Sequence, residues 1–508
     1  MKKLLFVCLT FITVVAGAQK KDPATTYAKT ITPDDMKQRL YIVASKEMEG
    51  RETAMPGQKR AAAYIESQFK SFGLAPGNHG QYQLHYDVFE DSLTNTEVEV
   101  NGKAYELDKD FSVNVGQCNN ATYRFSEVVF VGNGKSDSAQ DDYKGLDVRG
   151  KVVLMLGGQP QGGRGPGGRG GNRFGGFFAK ADAAQKNGAV AVMIIATNFP
   201  HQTKTNPKGN MYVNAFQPVV RPNQFTVSEE IAKAIMGSDY DAATAGTIQP
   251  KMYKANVMLS FEKATLHLES SDVLGVLEGT DLKDQYVFVT GHYDHLGKRD
   301  TVIYYGADDD GSGTVSVIEM AQAFAKAKAE GKGPRRTMVF MTVSGEEKGL
   351  WGSDYYTNHP VFPLDQTTVD LNIDMIGRID TSRKVGNPNN YVYVVGDDKL
   401  STDLRTISES VNKKYTKLEL DYKFNDPNDR NRIYFRSDHY NFARKGVPII
   451  FYYDGMLGSD YHRPTDTPDK INYDLLAKRA QLVFYTAWDM ANRDDMLKRD
   501  LKLEIPSR

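Results

Sequence analysis

The chain of 508 residues has room for two or three domains, and its 63 basic and 64 acidic side chains leave a formal charge of −1. That balance excludes a global attraction to nucleic acid or to an anionic membrane surface, so any partner must be recognised locally. The only cysteines are Cys8 and Cys118; Cys8 falls in a segment expected to be removed, and Cys118 alone can make neither an internal disulfide nor a thiolate-built metal site.

The opening "MKKLLFVCLTFITVVAGAQ" begins with Lys2 and Lys3, runs apolar from Leu4 to about Val15 and exits through Ala16, Gly17 and Ala18. It predicts a secretory signal peptide over 1–18 and export to the periplasm or the medium. The run is too short to span a bilayer comfortably, and no later stretch reaches the ~18 apolar residues a span needs. Residues 25–110 are read as the first part of a catalytic domain. Two helices are expected within 30–75, the second opened by Pro56 and Gly57, closed by Gly73, and carrying Tyr64, Ile65 and Phe69 at one-turn spacing. Alternation in "TEVEVNG" then predicts strand.

A composition shift sets off 111–262 as an inserted, smaller α/β domain, with a strand at Lys151 to Leu156 and a helix followed by a buried strand in "FFAKADAAQKNGAVAVMIIAT". Its segment 157–176 is more than half glycine, carries three arginines and has no apolar periodicity, so it is read as a solvated loop. From 263 to 508 short apolar strands at 286–290, 337–343, 369–373, 391–395 and 447–453 alternate with helices near 312–330, 400–414 and 474–491. The predicted class is α/β: a mixed, largely parallel sheet covered by helices on both faces.

In such sheets the active crevice lies beyond the carboxyl ends of the strands. There the sequence delivers His292, Asp294 and His295 in "GHYDHLG", Glu346 and Glu347 in "SGEEKG", Asp374 in "DMIG", and Tyr461 and His462 in "DYHRP". "GADDDGSG" at 306–313 precedes a helix with Val317, Ala321 and Phe324 on one face, which brings Asp308, Asp309 and Asp310 to the same rim. So much like charge is unfavourable without a counterion. Histidine with carboxylate and no thiolate suits zinc, with cobalt or manganese as substitutes, and the surplus of ligands points to two ions sharing a carboxylate. An adjacent Glu pair lets one carboxylate bind metal while the other takes a proton.

Together "GHYDH", "GADDDGSG", "SGEEKGLWGS", "NIDMIG", "RSDH" and "YHRPTDT" resemble the co-catalytic dinuclear zinc exopeptidases, which include secreted leucyl-type aminopeptidases and the glutamate carboxypeptidase II branch. The resemblance covers about 265–495, and the middle region looks like a protease-associated domain. It implies two Zn2+ per chain, peptide substrates, His292 and Asp374 on one ion, Glu347 and His462 on the other, and Asp309 bridging them. It further implies Asp294 as the orienting partner of His292, Glu346 as general base, Tyr461 as a stabiliser of the tetrahedral intermediate, and Asp308 and Asp310 as shapers of the turn. Ser437, Asp438 and His439 match a segment near the substrate pocket. His295 is read as structural, and His79, His85, His201, His267 and His359, outside every motif, as ordinary surface or core histidines. Arg430, Arg432 and Arg436 lie where the carboxypeptidase branch clusters arginines, but without its motif. The expected activity is that of an aminopeptidase; the alternatives are a carboxypeptidase or dipeptidase, and a glutaminyl-cyclase-like acyltransferase.

Overall fold

Four strands explain the unbroken apolar runs of the C-terminal half. Every residue of Arg336–Val343, Thr367–Ile373, Tyr391–Val395 and Ile449–Tyr453 is buried, as expected of strands covered on both faces. The computed structural model describes residues 22–157, 171–202, 204–216, 220–458 and 460–504, and of 171–178 the backbone alone. The signal peptide expected at 1–18, Cys8 with it, and most of the glycine-rich segment lie outside the described residues. No helix among the described residues is long and apolar enough to cross a membrane.

The chain divides into two units, 1–86 with 270–508, and 87–269. In the first, the strand order is Glu419–Asp421, Tyr391–Val395, Ile449–Tyr453, Thr367–Ile373, Leu282–His292, Arg336–Val343 and the end of Lys251–Leu277. The four strands from Ile449–Tyr453 to Arg336–Val343 run parallel, with Val287 opposite both Met338 and Val369. An antiparallel strand flanks them on each side, Val276 facing Val339 and Val394 facing Tyr452. Alternate residues feed two cores. Val287, Val289, Met338 and Phe340 pack with the helices Pro33–Val43, Pro56–Ser71, Gly313–Ala329 and Tyr473–Asn492, while Phe288, Val339 and Met341 pack with Tyr356 and Phe442 on the opposite face. Ile65 and Phe69 are fully buried, as their spacing predicts, and Tyr64 is partly so. Pro33 starts its helix behind Thr32, whose hydroxyl accepts from the Asp35 amide at 3.2 Å.

In the second unit, strands Ala121–Phe130, Val152–Leu156, Ala191–Ile195 and Asn223–Val227 form a parallel set. Residues 251–261 border it antiparallel on one side and Phe111–Val113 on the other. The divisions fall at Tyr86/Asp87 and Glu269/Ser270, not at 110 and 262 as the composition shift suggests. The reason is packing: Val98, Val100 and Tyr105, which precede the shift, sit in the same core as Phe225 and Leu259.

Candidate metal centre

The rim is assembled by backbone-holding carboxylates. Gly306 begins the aspartate run with a positive φ of 56°, and a Cβ there would stand 2.4 Å from the Asp309 carbonyl and 2.5 Å from the His295 ring, so the turn admits only glycine. Asp308 accepts from the Gly377 amide at 2.8 Å. Asp310 accepts from the amides of Gly313 at 2.8 Å, Met375 at 3.0 Å and His292 at 3.2 Å. Asp466, supplied by the loop after His462, accepts from the amides of Asp308 and Asp309 at 3.0 and 3.2 Å. The two outer aspartates thus tie two strand ends and the start of the Gly313–Ala329 helix together and leave the middle carboxylate free. Burial, with Asp454 nearby, pushes Asp308 well above the carboxylate range, and burial does the same to Asp310.

A second clamp comes from far upstream. The guanidinium of Arg51, fully buried, donates to the carbonyls of Tyr293 at 2.7 Å, Val43 at 2.9 Å, Tyr305 at 2.8 Å and Gly306 at 2.8 Å. It binds the loop after the Leu282–His292 strand and the entry to the aspartate run to the end of the Pro33–Val43 helix.

Between these clamps the predicted ligands meet. His292 Nε2 lies 3.3 Å from Asp309 Oδ1 and 3.6 Å from Asp374 Oδ1. His462 Nε2 lies 3.1 Å from both Asp309 Oδ2 and Glu347 Oε2. Asp309 therefore divides its two oxygens between two groups of potential ligands. Among the described residues these groups are His292, Asp309 and Asp374, and His295, Asp309 and Glu347, each with ligand atoms within 4.8 Å of one another. His295 Nδ1 stands 2.9 Å from Glu347 Oε1. Its motif position, one residue past Asp294, contained no signal that it would face the second cluster.

Asp294 touches His292 through its carbonyl, which accepts from Nδ1 at 3.1 Å; its carboxylate is 3.6 Å away. That contact fixes the tautomer and leaves Nε2 as the lone-pair face. The same carboxylate accepts from the Thr53 hydroxyl at 2.7 Å and from the Glu346 amide at 3.2 Å, so it anchors the Glu346 turn as well.

The electrostatics call for a cation. Burial opposes charge on His292, but Asp374, Asp294 and Asp309 outweigh it and hold its pKa well above the ordinary value. His462, also opposed by burial, is raised to about 10 by Asp309 and Glu347. Burial and Asp309 would raise Glu347, yet His295 and His462 bring it down to about 2. Burial drives Glu346 well above the carboxylate range. Nevertheless six buried atoms here have no hydrogen-bond partner: His292 Nε2, both ring nitrogens of His295, Asp309 Oδ2 and both oxygens of Glu347. Close but unaligned nitrogens and oxygens aim their lone pairs at shared points, and the donor set, imidazole with carboxylate, fits zinc.

Asp309, Glu346 and Asp374 open onto a cleft walled by Met375, Ile433, Arg436, Phe451, Tyr453, Leu457 and Tyr461. Tyr461 stacks on the His462 ring at 3.9 Å, and burial pushes its hydroxyl pKa up. Ser437, Asp438 and His439 are fully buried behind this wall. Ser437 accepts from Asn372, Asp438 accepts from Ser353, and His439 contacts the Tyr434 carbonyl at 2.8 Å. Of the wall residues just before them, Ile433 carried no motif, and Arg436 opens the "RSDH" motif without a role assigned to it. Arg432 lines a different cavity of about 390 Å3, with Phe424, Tyr434 and Phe435, which no candidate ligand reaches.

Residues 272–487 match the family described as Peptidase family M28. A "Probable leucine aminopeptidase" of Trichophyton verrucosum is 29% identical over 214 residues, 41% of this chain and 55% of that one. The chain thus spans about half the length of the curated relatives it matches. Among solved structures, the aminopeptidase from Aneurinibacillus sp. strain AM-1 superposes with a TM-score of 0.55 at 20% identity, covering 95% of this chain and 100% of that one. BSAP, a zinc aminopeptidase from Bacillus subtilis, gives 0.52 at 19% identity, covering 93% and 98%. These likenesses establish the α/β fold of the zinc-peptidase type. The five predicted ligands all lie inside the segment, residues 272–487, that matches peptidase family M28.

Proposed function

We propose that the protein is an exported zinc-dependent aminopeptidase that releases N-terminal residues from peptides. The observation that carries this reading is Asp309, with one oxygen toward His292 and the other toward His462, among buried lone pairs that have no protein partner. His292 and Asp374 would hold one zinc, Glu347 and His462 the other, with Asp309 between them. Zinc bound there supplies Lewis acidity toward a carbonyl oxygen and lowers the pKa of water. The chain's own groups do the rest. Glu346, raised by burial, takes the proton of the attacking water and returns it to the leaving amine. Asp294 keeps the His292 ring turned and the Glu346 backbone in place. Tyr461 offers its hydroxyl proton to the carbonyl oxygen as charge develops, and the apolar wall keeps bulk water away.

The leucine aminopeptidase and the two bacterial aminopeptidases named above favour this specificity over the alternatives. Metal analysis with a substrate panel tests it: two zinc per chain and cleavage of free-amine peptides are expected, with Glu346→Gln losing the cleavage and keeping the zinc. Cleavage of N-blocked dipeptides alone would replace it with a carboxypeptidase, and one zinc per chain with an acyltransferase. The unit 87–269 is read as a protease-associated domain; deleting 157–176 without changing kinetics on long or short peptides would remove any part for that segment in choosing substrates.

A further inference from the structure

Arg436 carries a buried-cleft charge that the mechanism above leaves unused. It stands on the cleft wall with Glu346, Asp374 and Tyr461. Among the described residues its guanidinium has no carboxylate ion-pair partner; its bond is from Nη2 to the Tyr461 hydroxyl oxygen, at 2.9 Å, with the guanidinium carbon 5.8 Å from the centre of the same ring. Its backbone is fixed on both sides. The Arg436 amide donates to the Ile433 carbonyl at 3.0 Å, and the carbonyl of neighbouring Ser437 accepts from the Tyr440 amide at 3.1 Å.

A phenol oxygen that accepts from a guanidinium can direct its own proton only elsewhere. Among the described residues no group accepts that proton, and the ring is pinned against His462, so the remaining direction is the cleft. A cationic donor also withdraws charge from the oxygen and strengthens the O–H as a donor. We propose that Arg436 is a positioning residue: by donating to the Tyr461 oxygen it aims the hydroxyl proton at the carbonyl oxygen of the peptide bond being cleaved. It touches no substrate itself and acts through Tyr461. The inference rests on the reading of the site as a peptidase.

A double-mutant cycle on the full chain tests it, with zinc content of each variant as the control for folding. Arg436→Met, which keeps the apolar stem, is expected to lower kcat about 10-fold with KM little changed, and Tyr461→Phe to lower it on the order of 100-fold. The double variant should match Tyr461→Phe, because Arg436 has nothing left to act on. Arg436→Lys, still a donor, should recover part of the loss. Binding of an α-aminophosphonic acid, a tetrahedral anion, should weaken in the same order. Multiplicative losses in the double variant would show Arg436 acting directly on substrate and overturn the proposal; so would a change in KM alone, or an inert Tyr461→Phe. If Arg436→Met does not fold, Arg436→Lys carries the cycle. The peptidase reading fails separately, on the zinc count and the substrate panel.

Discussion

In the unit 87–269, Cys118 turns its buried thiol to the Gln224 carbonyl at 3.5 Å and His201 stacks on Phe199 at 4.1 Å; among the described residues the buried side-chain atoms left without a partner are Tyr143 Oη, His201 Nε2 and Gln224 Nε2, one to a residue. The other unit has scattered orphans too, such as Gln58 Oε1, Thr342 Oγ1 and Ser408 Oγ, but there six further atoms crowd into His292, His295, Asp309 and Glu347. Both units bury strands of the same apolar kind, so sheet burial does not separate them. What separates them is where unpaired polarity is tolerated. A scattered orphan costs about 1–3 kcal/mol and is absorbed by the fold. A gathering of orphans with opposite charges at one sheet edge is a site awaiting a cation.

Removing the shared carboxylate should break this contrast most completely. Asp309→Ala is expected to abolish activity and to lower zinc at both positions, read by metal analysis after dialysis. Glu346→Gln should keep zinc and cut kcat by about 10²–10⁴-fold, as loss of a general base does; loss of zinc instead would put Glu346 among the ligands. Asp294→Asn keeps the carbonyl that meets His292 but weakens the carboxylate that holds Thr53 and the Glu346 amide, and should lower activity or zinc affinity by about 10–100-fold.

Proton exchange gives a smaller signal. With His462 raised from 6.5 to about 10 in the absence of metal, zinc must displace its proton at neutral pH. Calorimetry in buffers of different ionisation enthalpy should therefore show proton release on zinc uptake, with affinity falling as pH drops. In the metal-free protein the charged His462 adds stability that is complete below about 6.5 and lost as pH rises through about 10, so its melting temperature should decline over that window. Smallest at the site, Val192→Ala in the core of the other unit should cost about 2 kcal/mol of stability by the cavity it leaves and change neither zinc content nor kcat.

The parts of this arrangement legible in the sequence are those that local chemistry dictates. Apolar strands end in polar clusters, and the strand found over Leu282–His292 delivers its ligand on the last residue. The strands observed at Thr367–Ile373 and Tyr391–Val395 and the helix at Gly313–Ala329 lie within a residue or two of the expected spans. What sequence reading could not supply is tertiary. Nothing local in "GHYDHLG" tells that His295 turns toward Glu347, since that contact spans separate strand ends. Nor does composition assign 87–110 to the second unit, because the deciding contacts of Val98 and Val100 are with residues more than a hundred positions later. Arg436 was visible as a basic residue near the pocket, but its partner 25 residues away was not.

Arg51 has a practical meaning for anyone shortening this protein. A fragment cut to the family-matched stretch 272–487 would contain every candidate ligand and lack the guanidinium that staples four carbonyls around them. Such a fragment should emerge insoluble or metal-poor: the catalytic text is contiguous, but the knot that tightens it is tied with thread from the chain's beginning.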